Sequence, residues 1–88
     1  MLLSQPMEKK MTNRKLPKGF EGIQVYEDPE IVENPISGES IEIPADAVAV
    51  YDVIMGLQLA KNPRWDLVRS GLDWFMKHEP KAYMVLLD

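Results

Sequence analysis

One histidine, His78, and no cysteine are present among the 88 residues of this sequence. A catalytic triad or dyad needs a nucleophile that is oriented by a base, and a zinc site needs several His or Cys ligands. His78 lies near the end of a predicted helix, where the helix dipole favours a polar or cationic side chain. The sequence therefore indicates a local structural role for His78, and we expect a protein that is not an enzyme and holds no metal ion.

Carboxylates are dense around Pro29 and could in principle act as paired general acids and bases. They are Glu27, Asp28, Glu30 and Glu33. Nothing in the surrounding sequence orients them, and the ligand spacing and central glycine of a calcium loop are absent. No glycine-rich phosphate-binding loop is present either. We interpret the stretch as a solvated acidic edge and predict no bound cofactor.

Charge is divided unevenly along the chain. Residues 21–60 contain nine Asp and Glu and no Lys or Arg, whereas residues 1–20 hold five cations and one acid. Residues 1–19 lack an apolar period and include two prolines, so we expect a flexible basic arm there, followed by a single small domain over residues 20–88. The cations of the arm are Lys9, Lys10, Arg14, Lys15 and Lys18.

The basic arm supports one functional hypothesis, a nucleic-acid accessory protein. Its cations could contact phosphates and give a salt-sensitive affinity that does not depend on base sequence. The arm has no interleaved aromatic side chains, however, and the acidic body would repel a polyanion. We therefore keep nucleic-acid binding as the alternative and not as the leading hypothesis.

The first elements of the domain are predicted to be β-strands. Ile23 and Val25 alternate with polar or amphipathic residues, which indicates a short strand over residues 22–27. Residues 34–38 form a turn-rich cluster with Pro35 and Gly38, and residues 40–43 alternate polar and apolar. A β-hairpin centred on this turn is expected.

Three helices are predicted to follow. Pro44 begins a helix over residues 44–61 whose apolar side chains cover most of the wheel, apart from a strip of small or polar residues. Asn62 is the predicted N-cap and Pro63 the first residue of a second helix over residues 63–78. Residues 81–87 are predicted to form a short last helix. The fold class is thus α+β: a short N-terminal β-hairpin packed on two antiparallel helices plus a short C-terminal helix.

The second helix has two apolar stripes, and only one of them is needed for a core. Trp65, Val68, Leu72, Phe75 and Met76 share the first stripe. The other contains Leu67, Gly71 and Trp74, and the first helix has its small-residue strip with Ala49 and Gly56. Such faces suit either one compact core or a surface for another chain, since Trp and Met are favoured at interfaces. We predict a protein-interaction or structural module that binds a protein partner or self-associates as a homo-oligomer, with these five residues in contact.

Length and composition agree with a small acidic protein. The net charge is −4, and 45% of the residues are hydrophobic, which is ordinary for a globular chain. The apolar run at Met1 ends within three residues, so it is too short for a signal peptide, and no apolar stretch is long enough to span a bilayer. We expect a cytoplasmic protein without membrane contact.

From Asn34 to Asp88 the chain resembles small uncharacterised proteins encoded by tailed phages of aquatic bacteria such as cyanobacteria. The resemblance lies in residues 34–39 of the predicted turn, residues 47–52 of the first helix, residues 71–76 of the second and the pair Tyr83-Met84. It implies a small accessory protein that acts in an infected cell or in the phage particle. No catalytic motif and no functional residue come with the resemblance.

Overall fold

The computed structural model describes residues 14–88 and shows the predicted α+β fold. A two-stranded antiparallel sheet precedes two main helices and a short C-terminal helix. The elements are β1 (Glu30–Glu33), β2 (Ser40–Ile43), α1 (Ala45–Leu59), α2 (Trp65–His78) and α3 (Pro80–Ala82), which continues as one π-helical turn over Tyr83–Leu87. Within these residues, no helix is long and apolar enough to cross a membrane.

The hairpin forms where the turn residues predicted it. Val32 pairs with Ile41, and both side chains pack against the core, while Ile31 and Glu42 face outwards. In the turn, the side-chain oxygen of Asn34 accepts hydrogen bonds from the backbone N–H groups of Ile36 and Ser37, and Gly38 has a φ of 82°. These are the local bonds that favour Asn and Gly in tight turns.

The strand predicted over residues 22–27 is wrong. These residues form turns and irregular backbone, and Val25 and Tyr26 are exposed. The apparent alternation has no neighbouring strand to pair with, and the backbone N–H of Ile23 instead donates to the carbonyl of Phe20. Alternation of apolar and polar residues is therefore not sufficient to form a strand where no neighbouring strand is available for pairing.

Helix α1 is the centre of the domain, as its apolar wheel predicted. Ala47, Val50 and Ile54 are fully buried, and Ile43 of β2 and Phe75 of α2 belong to the same cluster. The helix starts immediately after Pro44 and ends when the Ala60 N–H bonds to the carbonyl of Leu57. Burial on several sides explains why a helix with no strongly polar face is stable in this small domain.

Helix α2 begins two residues later than predicted, and its buried face combines Val68 and Phe75 of the predicted core stripe with Gly71 and Trp74 of the other stripe. Arg64 precedes the helix with a ψ of 87°, outside the helical region, so the predicted cap Asn62 lies in the turn. Trp65 is 62% exposed and Met76 is 49% exposed, whereas Val68, Gly71, Trp74 and Phe75 are buried. The buried face is rotated because Phe20 and the residues before it pack on the side of Gly71 and Trp74.

The last part of the predicted arm differs from the expectation. Residues 14–20, here called the N-terminal strap, lie against α2: the Ser70 hydroxyl donates to the carbonyl of Lys18 over 2.8 Å, and Phe20 is 1% exposed. The basic arm thus does not extend to residue 19 as a separate segment, because residues 14–20 belong to the packed domain. Residues 1–13, with Lys9 and Lys10, lie outside the described part of the chain.

Candidate protein-interaction surfaces

Trp74, the main predicted contact residue, points into its own domain. It is 7% exposed, and its indole N–H donates a 2.7 Å hydrogen bond to the carbonyl of Lys15. The Phe75 ring meets it edge-on with centroids 5.7 Å apart, and the Arg14 guanidinium lies 4.7 Å from its ring centroid. The large side chain that sequence assigned to a partner is therefore covered by the N-terminal strap.

Gly71 and Leu67 take part in the same internal contact. A Cβ at Gly71 would lie 2.8 Å from Cγ1 of Ile54 and 3.0 Å from Cζ of Phe20. The close approach that glycine permits is thus made within the chain, between α2, α1 and the strap. Leu67 is half-buried beside Gly19, whose φ of 92° favours glycine.

Ala49 and Gly56, the predicted small residues of α1, lie in different surroundings. Gly56 is exposed, and a Cβ there would meet nothing within 4 Å outside its own stretch of helix. Ala49 is buried and lines a groove between residues 23–30 and the first half of α1. Of the five predicted contact residues, Ala49 is thus placed at a concave surface open to solvent.

This groove, called the acidic groove below, has a volume of about 280 Å³. Its apolar lining includes Ile23, Ala45, Val48, Ala49 and Val53. The exposed carboxylates Asp28, Glu30 and Asp52 line it as well, and no Lys or Arg occurs anywhere in residues 21–60. An apolar lining that is bordered only by negative charges suits a ligand with both apolar and cationic groups.

A second exposed apolar feature is the connection between the two main helices. Leu59 ends α1 with 86% of its surface exposed, and Trp65 begins α2 at 62%. The exposed cations Lys61 and Arg64 lie between them in sequence. We call residues 59–65 the α1–α2 tip. In the sequence, Leu59 stands two residues before the Lys61-Asn62-Pro63 turn, whereas the predicted core stripe included Trp65.

Arg64 in the tip makes a local ion pair. Its Nε and Nη2 donate to the carboxylate of Asp66 over 3.2 and 3.0 Å. These hydrogen bonds lower the pKa of Asp66 and raise that of Arg64. Both side chains are mostly exposed, so the pair leaves the guanidinium accessible from solvent.

Arg14 is held much more closely, between the ends of α1 and α2. It donates from Nε and Nη2 to Asp46 over 2.8 and 2.9 Å, and its Nη1 lies 2.8 Å from Glu79. Burial lowers the pKa of Arg14, but the bonds to Asp46 and Glu79 outweigh it, so the net shift is upward. The guanidinium of Arg14 is therefore occupied by contacts within the domain, which argues against its predicted role as a phosphate contact.

The remaining described cations of the arm lie on an open hollow of about 610 Å³, called the cationic hollow below. Lys15 and Lys18 line it from the strap, and Lys77 and His78 line it from α2. His78 is half-buried with its ring centroid 5.3 Å from that of Trp74, and its backbone carbonyl is 3.4 Å from Arg14 Nη1. The structure thus brings Lys77, which the sequence hypothesis did not include, beside two of the arm's cations.

Known proteins provide no further guide to the site. The chain matches no protein-family model, no curated protein and no solved structure. Among residues 14–88, no group of three His, Asp or Glu side chains is placed to hold a metal ion. The acidic groove, the α1–α2 tip and the cationic hollow are the candidate functional surfaces within these residues.

Proposed function

We propose that this protein is a small non-enzymatic protein-interaction module that binds its partner through the acidic groove. The supporting observation is the combination of a concave apolar lining with exposed carboxylates at Glu30 and Asp52. Apolar concave surfaces bordered by polar groups are typical of sites that bind another chain. Among residues 14–88 the core is packed without that partner, and the groove is a concave surface of this described part of the chain.

The charge of the groove defines the partner's chemistry. A segment with one or two large apolar side chains beside Lys or Arg would fill the lining and approach the carboxylates with favourable electrostatics. An acidic segment would be repelled by the nine carboxylates of residues 21–60. The partner is therefore expected to be basic where it contacts this chain.

The test compares charge reversal inside and outside the groove. The groove variant is Glu30→Lys with Asp52→Lys, and the control is Glu39→Lys with Asp88→Lys, which alters the net charge equally at exposed sites. Each tagged protein is used for nuclease-treated capture from the native host lysate, and light scattering gives the mass of the recovered species. We expect wild type and control to be recovered in a complex or oligomer above 10.1 kDa and the groove variant as a monomer.

A wild-type chain that stays monomeric at its highest soluble concentration and recovers no protein would refute an interaction module. The resemblance to phage proteins leads us to propose the cytoplasm of an infected bacterium as the place where the partner is met. Fractionation of infected cells, with the chain followed by immunoblot, tests that location, and recovery only in purified particles would contradict it.

Nucleic-acid binding is the second candidate, and the cationic hollow favours it. Lys15, Lys18 and Lys77 lie around one open surface with a single carboxylate, Asp73, and several cations on one surface can contact phosphates. The test is fluorescence polarisation with a labelled single-stranded oligonucleotide at low salt. Lys15→Gln with Lys18→Gln should weaken binding and reduce its salt dependence, while Lys61→Gln with Lys81→Gln should not.

Substitution is preferable to deleting residues 1–19, because that deletion would also remove Arg14 and part of the strap. Equal affinities for the two double variants, or no affinity at low salt, would reject the second candidate.

A further inference from the structure

We infer that the acidic groove takes the α1–α2 tip of a second copy of this chain, so that the protein assembles head to tail. This inference rests on the proposed function, since it identifies the partner of the same groove. The tip has the apolar and cationic groups that the groove's chemistry requires.

The tip and the groove have complementary chemistry. The tip presents Leu59 and Trp65, at 86% and 62% exposure, with Lys61 and Arg64 between them in sequence. The groove presents an apolar lining with the exposed carboxylates of Glu30 and Asp52. Trp and Arg are enriched among the residues that contribute most to protein interfaces, and a large exposed Trp gains most by entering an apolar groove.

Shape also favours the tip over the other basic surface. The tip is a tight connection between two helices and projects its side chains into solvent, so it can enter a concave site. The cationic hollow has the right sign of charge, but it is itself concave, and Trp74 beneath it is buried. If the cationic hollow faced the acidic groove, a gap would remain between the two concave surfaces, and the groove's apolar lining would stay in contact with water.

The placement of both surfaces on α1 determines that the contact is between copies. The groove is lined by α1 residues from Ala45 to Val53, and the tip begins at Leu59. Six further residues of helix advance the chain by about 9 Å, and a continuous helix cannot fold back to insert its own end. Tip and groove of one copy are therefore not able to meet each other.

A contact between two different surfaces is heterologous. After it forms, one copy still has a free groove and the other a free tip, so the assembly grows into a chain or closes into a ring. The expected signature is a mass that increases with concentration instead of stopping at a dimer.

Two complementary variants test the inference. The groove variant, Glu30→Lys with Asp52→Lys, keeps its tip, and the tip variant, Leu59→Ser with Trp65→Ser, keeps its groove and its charge. The matched control, Ile36→Ser with Met84→Ser, removes two other exposed apolar side chains. All these side chains are exposed, so circular dichroism should show each variant folded.

The measurement is sedimentation equilibrium over a concentration series. Wild type and control should increase in mass with concentration, and each of the two surface variants alone should remain at 10.1 kDa. An equimolar mixture of the two should stop at a 1:1 pair, because it holds one intact tip and one intact groove per pair. High salt should weaken all of these associations.

Several outcomes overturn the inference, and they separate it from the proposed function. If wild type stays monomeric but recovers a foreign protein that the groove variant loses, self-assembly is rejected and the interaction module stands. If wild type stays monomeric and recovers nothing, both are rejected. Association of the tip variant like wild type, or a mixture that grows beyond the 1:1 pair, also rejects the tip-to-groove contact.

Discussion

Replacing Arg14 with Met should destabilise the domain far more than the same replacement at Arg64. Both arginines donate from Nε and Nη2 to an aspartate carboxylate. They differ in exposure: the side chains are 18% and 10% exposed for Arg14 and Asp46, and 64% and 66% for Arg64 and Asp66. The pair of substitutions therefore compares a partly buried arginine, which also contacts Glu79 and Trp74, with an exposed arginine that pairs with one aspartate.

The magnitude follows from what Arg14→Met removes. Asp46 loses two charge-assisted hydrogen bonds and Glu79 loses its ion pair, while both carboxylates stay in their partly buried places. Breaking a fully buried pair costs about 3–5 kcal/mol, and the lost cation–π contact with Trp74 adds about 1 kcal/mol. Because some solvent reaches these groups, we expect a loss of about 2–4 kcal/mol, a large share of the stability of so small a domain.

Urea unfolding followed by tryptophan fluorescence measures the loss, at protein concentrations where the chain is monomeric. The urea midpoint of Arg14→Met should fall strongly, with no change in the dependence of the unfolding free energy on urea concentration. The urea midpoint of Arg64→Met should stay near that of wild type, because exposed ion pairs contribute little to stability. A double-mutant cycle with Asp46→Asn should show strong coupling to Arg14. Equal midpoint shifts for the two arginine variants, or no coupling, would refute the assignment of Arg14 as a buried link between α1 and α2.

Three further predictions concern the core and its pH dependence. Gly71→Ala should destabilise the domain by about 1–3 kcal/mol, because the new Cβ would lie 2.8 Å from Ile54. Gly56→Ala should stabilise the domain by about 1 kcal/mol, because alanine has the higher helix propensity and the site is open. Urea midpoints that shift in the same direction for both variants would contradict this. Phe20→Ala should cost about 3–5 kcal/mol if the strap belongs to the core, and hydrogen exchange near Trp74 would then accelerate. Burial, and to a smaller extent the charge of Asp52, raise the pKa of Tyr51 above its ordinary 10.0. The unfolded chain therefore loses the phenolic proton at a lower pH than the folded chain, so the stability of the domain should fall as the pH rises above about 10. Tyr51→Phe should remove that part of the loss, and parallel pH profiles for the two proteins would disprove it.

The parts of the fold that sequence predicted correctly have local causes. Asn34 and Gly38 each favour the observed turn through their own backbone and side-chain preferences. Pro44 and Pro80 adjoin helix starts, where a missing N–H and a fixed φ are favourable. Such signals need no knowledge of distant residues, so the hairpin and all three helices could be placed from sequence.

The candidate site could not be predicted in the same way, because it depends on which face of each helix the rest of the chain covers. The helical wheel of α2 showed two apolar stripes, and residues of both are buried because Phe20 and Lys15, which are far away in sequence, contact Gly71 and Trp74. Trp74 is buried beneath these residues, while Trp65, at the start of the helix, is 62% exposed. The acidic groove likewise needs residues 23–30 beside α1, a placement that follows from no local pattern.

The N-terminal strap has a consequence for how the protein is made on the ribosome. Its contacts reach far ahead in sequence: Lys15 receives the Trp74 hydrogen bond across 59 residues, and Arg14 reaches Asp46 across 32. During synthesis the strap is translated long before its binding site on α2 exists. Since long-range contacts form only after the loop between them is closed, the domain should complete its folding late, when α2 has left the exit tunnel. Nascent chains stalled before Trp74 should therefore be protease-sensitive throughout the strap.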